Sequence, residues 1–242
     1  MSPLGSTALY ALIPIVALVI AGGVALARPA GPKMRSAIMH LAGGVVFAVV
    51  AIELLPAIIH STAIVAVVIG FSVGAALMLV LRQVLEHDNE DGEDVGPPTA
   101  MIVAVGVDLV VDGLMLGLGF AAGHRAGVLL AIGLTLETVS LGLALSTKLR
   151  DGGATRGRVI TILGVLGLAL AVGAVIGAVG LTVLPASLLP GLLAFGAAAL
   201  LFLVTEELLE EAHEVKETPV LTAMFFAGFL ALMVLEMAAG GS

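Results

Sequence analysis

Cysteine and tryptophan are absent from this chain of 242 residues, tyrosine occurs once, and charged residues make up only 12%. Without cysteine there is no disulfide scaffold, thiolate metal site or cysteine nucleophile. Ten basic residues against 18 acids leave a net charge of −8, and no basic patch extends beyond short loops. Nucleic acid is therefore not an expected partner. A Gly-x-x-x-x-Gly-Lys-(Ser/Thr) phosphate loop is also missing, which argues against ATP-driven work. A soluble domain of this length carries about 25% charged residues. A chain that is 60% hydrophobic reads instead as a polytopic membrane protein.

What is present is a series of apolar stretches near 20 residues, each long enough to cross the hydrocarbon core as a helix. Eight are expected, at 8–27, 37–59, 63–84, 100–122, 126–147, 159–182, 189–209 and 219–239. Apolar residues run continuously instead of alternating, so a membrane barrel is not indicated. With the N-terminus outside, Arg28, Lys33, Arg35, Arg82, Lys148, Arg150, Arg156, Arg158 and Lys216 fall inside, and only Arg125 falls outside. The positive-inside rule thus predicts an all-α membrane protein, an eight-transmembrane-helix bundle with both termini outside. Residues 1–27 lack a basic n-region and are read as a first span, not a signal peptide.

The chain divides into three spans (1–84), an acidic cytoplasmic loop (85–99) and a five-span half (100–242). That loop holds Glu86, His87, Asp88, Glu90, Asp91, Glu93 and Asp94 and closes on Pro97 and Pro98. It reads as a solvated linker, with a weak, exposed cation-collecting loop as the functional alternative. Gly70 and Gly74, Gly113 and Gly117, and Gly173 and Gly177 are each four apart within a span, the spacing that lets helix backbones approach in lipid. His40, His60 and His124 are expected at the surface.

Charges inside the membrane carry the functional information, since each costs about 3 kcal/mol or more at the bilayer centre. Asp108 and Asp112 share one face of span 4, being four residues apart. Glu137 lies at similar depth in span 5, which a short turn makes an antiparallel neighbour. Three carboxylates are thus expected to converge near the midplane. They cannot all ionise in low dielectric without a cation, so binding of a metal as protons leave is the expected chemistry. Glu53, before Pro56, and Glu236 mark the outer end; Glu206, Glu207, Glu210, Glu211, His213 and Glu214 gather where span 7 meets the inner surface.

Asp108-Leu-Val-Val-Asp112-Gly113-Leu114 resembles the span-4 motif His-Asn-x-Pro-(Asp/Glu)-Gly-Leu of the ZIP (Zrt/Irt-like) divalent metal transporters. Glu137-Thr-Val-Ser-Leu141-Gly142-Leu143-Ala144 resembles their span-5 motif, (His/Gln)-x-x-Pro-Glu-Gly-Leu-Ala. Glu53-Leu-Leu-Pro56 and Glu206-Glu207-Leu-Leu-Glu-Glu211-Ala212-His213 are similar to the ends of that family's spans 2 and 7. The resemblance implies inward transport of a divalent metal, with Asp108, Asp112, Glu137 and Glu53 as ligands. It also implies a pathway past Glu206, Glu207, Glu211 and His213. Leu109 and Leu141 stand where the family has asparagine and a bridging glutamate, and Ala171 stands where span 6 offers another glutamate. One metal per site is expected in place of two. The motif prolines are replaced by Val111 and Ser140, which places the usual helix breaks in doubt.

The expected partners are therefore divalent metal ions, as substrate and not as prosthetic group, and the lipid bilayer, with a homodimer left open. Zinc, iron and manganese all suit carboxylates. A non-enzyme in a prokaryotic plasma membrane is expected, the latter from the acidic, lysine-poor composition. Two alternatives stay open. One is a ZIP-like protein that has lost metal transport and acts on another cation, senses, or serves as a partner subunit. The other is an intramembrane aspartyl protease, faintly echoed in Gly106-Val-Asp108.

Overall fold

The computed structural model describes residues 3–28, 31–90, 99–183, 185–213, 215, 216 and 218–240. No strand occurs among them, and eight helices are long and apolar enough to cross a membrane. They are α1 (Pro3–Ala27), α2 (Pro32–Ile59), α3 (Ile64–Glu90), α4 (Thr99–Ala122), α5 (His124–Asp151), α6 (Arg156–Val183), α7 (189–213) and α8 (Pro219–Gly240). Helix is the form in which a span satisfies its own backbone groups, so the apolar runs become helices. Helix α3 continues past its apolar stretch to Glu90. The linker residues Asp91, Glu93, Asp94, Pro97 and Pro98 lie outside the described residues.

Local signals set the ends. Proline occupies the first turn of α2 and α7, where its missing N–H costs no helix bond. Helix α5 closes with Gly153 at φ 82, its N–H donating to the Arg150 carbonyl and the Ala154 N–H to the Leu149 carbonyl. That pair of bonds satisfies carbonyls the helix end would otherwise leave open. Gly123 alone joins α4 to α5, so the two are antiparallel neighbours.

Two spans contain π-helical turns. In α2 the turn is Val50–Leu54; in α7 it is Leu203–Leu208, between Leu189–Phe202 and Leu209–His213. Pro56 accounts for the first, since its ring and missing N–H disrupt the bond to the residue four back. The second has no proline and no local cause in its sequence. Helices α4 and α5 run unbroken past Val111 and Ser140, as the loss of the motif prolines predicts.

The main packings are α4 on α6, α1 on α5, α2 on α8 and α3 on α7, with α5 also touching α2 and α4. Glycine sets the closest of these. A methyl group at Gly113 or Gly117 would run into the α6 backbone at Leu170 and Ala174, and one at Gly173 or Gly177 into Val110 and Leu114 of α4. The two glycine pairs therefore meet in one seam, and Gly70 and Gly74 meet Gly191 and Phe195 of α7 in another. Helix α5 is the most enclosed span, with 67% of its apolar window buried, against 11% for α3.

Candidate metal site

The α4–α6 seam aims the carboxylates. At 100° per residue, Asp108 and Asp112 fall on roughly the opposite side of α4 from Gly113 and Gly117. With the glycines fixed against α6, both acids turn inward toward α5. Asp108, Asp112 and Glu137 are buried, and each offers a carboxylate oxygen within 4.8 Å of the others. Two oxygens on one ion can stand apart by at most twice the metal–oxygen bond, about 4.2 Å for Mg²⁺ and about 5 Å for Ca²⁺. Three oxygens that share one Zn²⁺ or Mg²⁺ stand closer than that limit, about 3–3.5 Å from one another, so these side chains must draw together by up to about 1–2 Å to hold a single ion.

The neighbouring motif positions are apolar or already bonded. Leu109 is fully buried beside the site and Leu141 packs into the core, so neither position supplies a donor for a second metal. Thr138 is buried too, but its hydroxyl donates to the Thr135 carbonyl at 3.1 Å. The Thr135 hydroxyl likewise donates to the Ala131 carbonyl at 2.6 Å. These bonds settle hydroxyls on their own helix, as expected in a dry interior.

Glu53 is not among the three. It sits on the π turn of α2, partly exposed, within electrostatic reach of Glu236 and Arg125. Arg125 is ion-paired with Glu236 and donates from Nη2 to its backbone carbonyl at 2.9 Å. At the other end of the bundle, Arg82 of α3 is ion-paired with Glu206 and lies 3.3 Å from Glu210. The π turn of α7 is thereby tied to α3. The side chains of Glu207 and Glu211 lie outside what the structure describes, as does Glu214.

The histidines divide. His60 and His124 are exposed, as expected. His40 is not at the surface: it is only 2% exposed, because the end of α7 covers that face of α2. Its Nδ1 is 2.9 Å from the Ser36 carbonyl, and its ring stands 5.3 Å from that of His213. A lone histidine eight residues into an apolar span gives no sequence sign of this cover.

No family model matches the chain. It is similar to the zinc transporter GufA of Myxococcus xanthus, 28% identical over 155 residues. The match takes in 64% of this chain, which spans 61% of the length of that relative.

Proposed function

We propose that this chain is a ZIP-like divalent metal transporter whose cargo passes through Asp108, Asp112 and Glu137. The observation that carries the reading is the convergence of these three buried carboxylates from α4 and α5 in an eight-span bundle. Similarity to a zinc transporter supports it, as does the likeness of the segments around these residues to the span-4 and span-5 motifs of ZIP transporters. Lipid-buried acids in such a cluster are costly, and a divalent cation offsets their mutual repulsion.

The basic end, with Arg82 and the α5–α6 connection, faces the cytoplasm, and both termini face outward in a prokaryotic plasma membrane. Metal enters near Glu53 and Glu236 and leaves past Glu206, Glu207, Glu211 and His213. One ion occupies the site, and protons leave the carboxyl groups as it binds. Zinc is the first cargo to test, with iron and manganese next.

The absent ligands at Leu141 and Ala171 favour, as a second reading, a ZIP-like protein without metal flux. A protease has less support, because its two aspartates must face each other from different helices, and here both lie on α4. Proteoliposomes loaded with a metal-sensitive dye and an internal pH dye separate the readings. Transport predicts Zn²⁺ uptake that Asp112→Asn with Glu137→Gln abolishes. A folded native protein that moves none of Zn²⁺, Fe²⁺ or Mn²⁺ leaves the second reading standing.

A further inference from the structure

His40 is held as a metal-binding histidine is held. Its Nδ1 lies 2.9 Å from the Ser36 carbonyl, an acceptor only, so Nδ1 carries the proton and donates. The lone pair is thereby left on Nε2. That nitrogen is buried and makes no hydrogen bond. Metal-ligating histidines use this arrangement, with one ring nitrogen donating to a backbone carbonyl and the other facing the ion. The Ser36 hydroxyl donates at 2.8 Å to the Ala212 carbonyl, which fixes the turn of α2 carrying His40 against the residue before His213.

The second ring is in place. The His40 and His213 rings stand 5.3 Å apart, centroid to centroid, at 87°. Two imidazoles on one tetrahedral ion, with Zn–N bonds of about 2.0–2.1 Å, stand about 5 Å apart by the same measure. His213 is exposed, so an ion between the rings has access to the end of the bundle. Met39 and Ala212, the neighbours of the two histidines, pack together with Ala144 of α5. Ala144 is seven residues beyond Glu137, two turns along the same face and about 10 Å nearer that end.

We propose that His40 and His213 form a second, nitrogen-donor site for a borderline divalent cation such as Zn²⁺, between the carboxylate site and the Arg82 end of the bundle. Its place on a pathway rests on the transport reading; its chemistry does not. Imidazole favours Zn²⁺ over Mn²⁺ and Mg²⁺, whereas carboxylates accept all three. The histidine pair therefore gives the pathway a preference that the carboxylates alone do not supply.

Equilibrium binding of Zn²⁺ and of Mn²⁺ to the full chain in detergent tests the site. The native protein is expected to bind two Zn²⁺ per chain, and the Asp112→Asn, Glu137→Gln protein one Zn²⁺ and no Mn²⁺. Adding His40→Gln weakens that remaining Zn²⁺ at least tenfold, and so does His213→Ala, whose exposed ring can be removed without opening the core. Zn²⁺ that persists unchanged in both histidine variants overturns the proposal. So does a carboxylate double variant that binds no Zn²⁺; if the native protein still takes up Zn²⁺, the transport reading survives that loss. A native protein that binds neither metal overturns both.

Discussion

At the scale of single residues, Asp108, Asp112 and Glu137 stand apart among the described acids, each buried with the other two carboxylates within reach. Neutral isosteres keep the shape and remove the charge that holds a cation. Asp112→Asn and Glu137→Gln are each expected to weaken Zn²⁺ binding about tenfold or more, a difference of about 1.4 kcal/mol or greater, in equilibrium binding to purified protein. Thr138→Val, which removes a hydroxyl already bonded to its own helix, is expected to leave that affinity within about twofold. Arg82→Ala breaks a half-exposed ion pair with Glu206 and is expected to lower stability by at most about 1 kcal/mol.

At the scale of helices, glycine and proline do most of the positioning. Gly113→Ala and Gly173→Ala each place a methyl group against a backbone carbonyl of the facing helix. Each is expected to cost about 1–3 kcal/mol in detergent unfolding, as overpacked sites do. Gly164→Ala, with open space at its Cβ, should cost nothing measurable and serves as control. Pro56→Ala restores the missing N–H and removes the cause of the α2 π turn. Losing that extra residue rotates Glu53 by roughly 100° about the helix. Metal uptake is expected to fall several-fold while the melting temperature holds or rises.

These elements show which features a reader of the sequence can reach. The eight spans are legible because continuous apolar runs have one stable form in lipid. Asp108, Asp112 and Glu137 are legible as neighbours because a four-residue spacing and a single linking glycine fix face and depth. The glycine pairs are visible, but that Gly113 and Gly117 meet Gly173 and Gly177 is not, since spacing does not name a partner. Nor does hydropathy tell the centre from the rim: α3 has the most apolar window and the least buried one. Lipid and protein interior are equally apolar, so the usual inside-outside contrast is missing. The α7 π turn and the burial of His40 arise from packing between helices distant in sequence, and neither has a local signature.

At the scale of the whole molecule, the charge asymmetry of the connections predicts the orientation. The natural lack of cysteine makes this simple to measure. Ser61→Cys, between α2 and α3, should react with a membrane-impermeant maleimide on intact cells. Thr155→Cys, between α5 and α6, should react only after permeabilisation. The reverse pattern would invert the pathway without moving the site.

The proposed transport site is a single metal ion among Asp108, Asp112 and Glu137. Crystals of the protein soaked in Zn²⁺ and measured on both sides of the zinc absorption edge test it directly. The expected result is an anomalous peak about 2.0–2.2 Å from carboxylate oxygens of these residues, gone in Asp112→Asn with Glu137→Gln. Zinc found only at exposed acids, with that cluster empty at saturating metal, would contradict it.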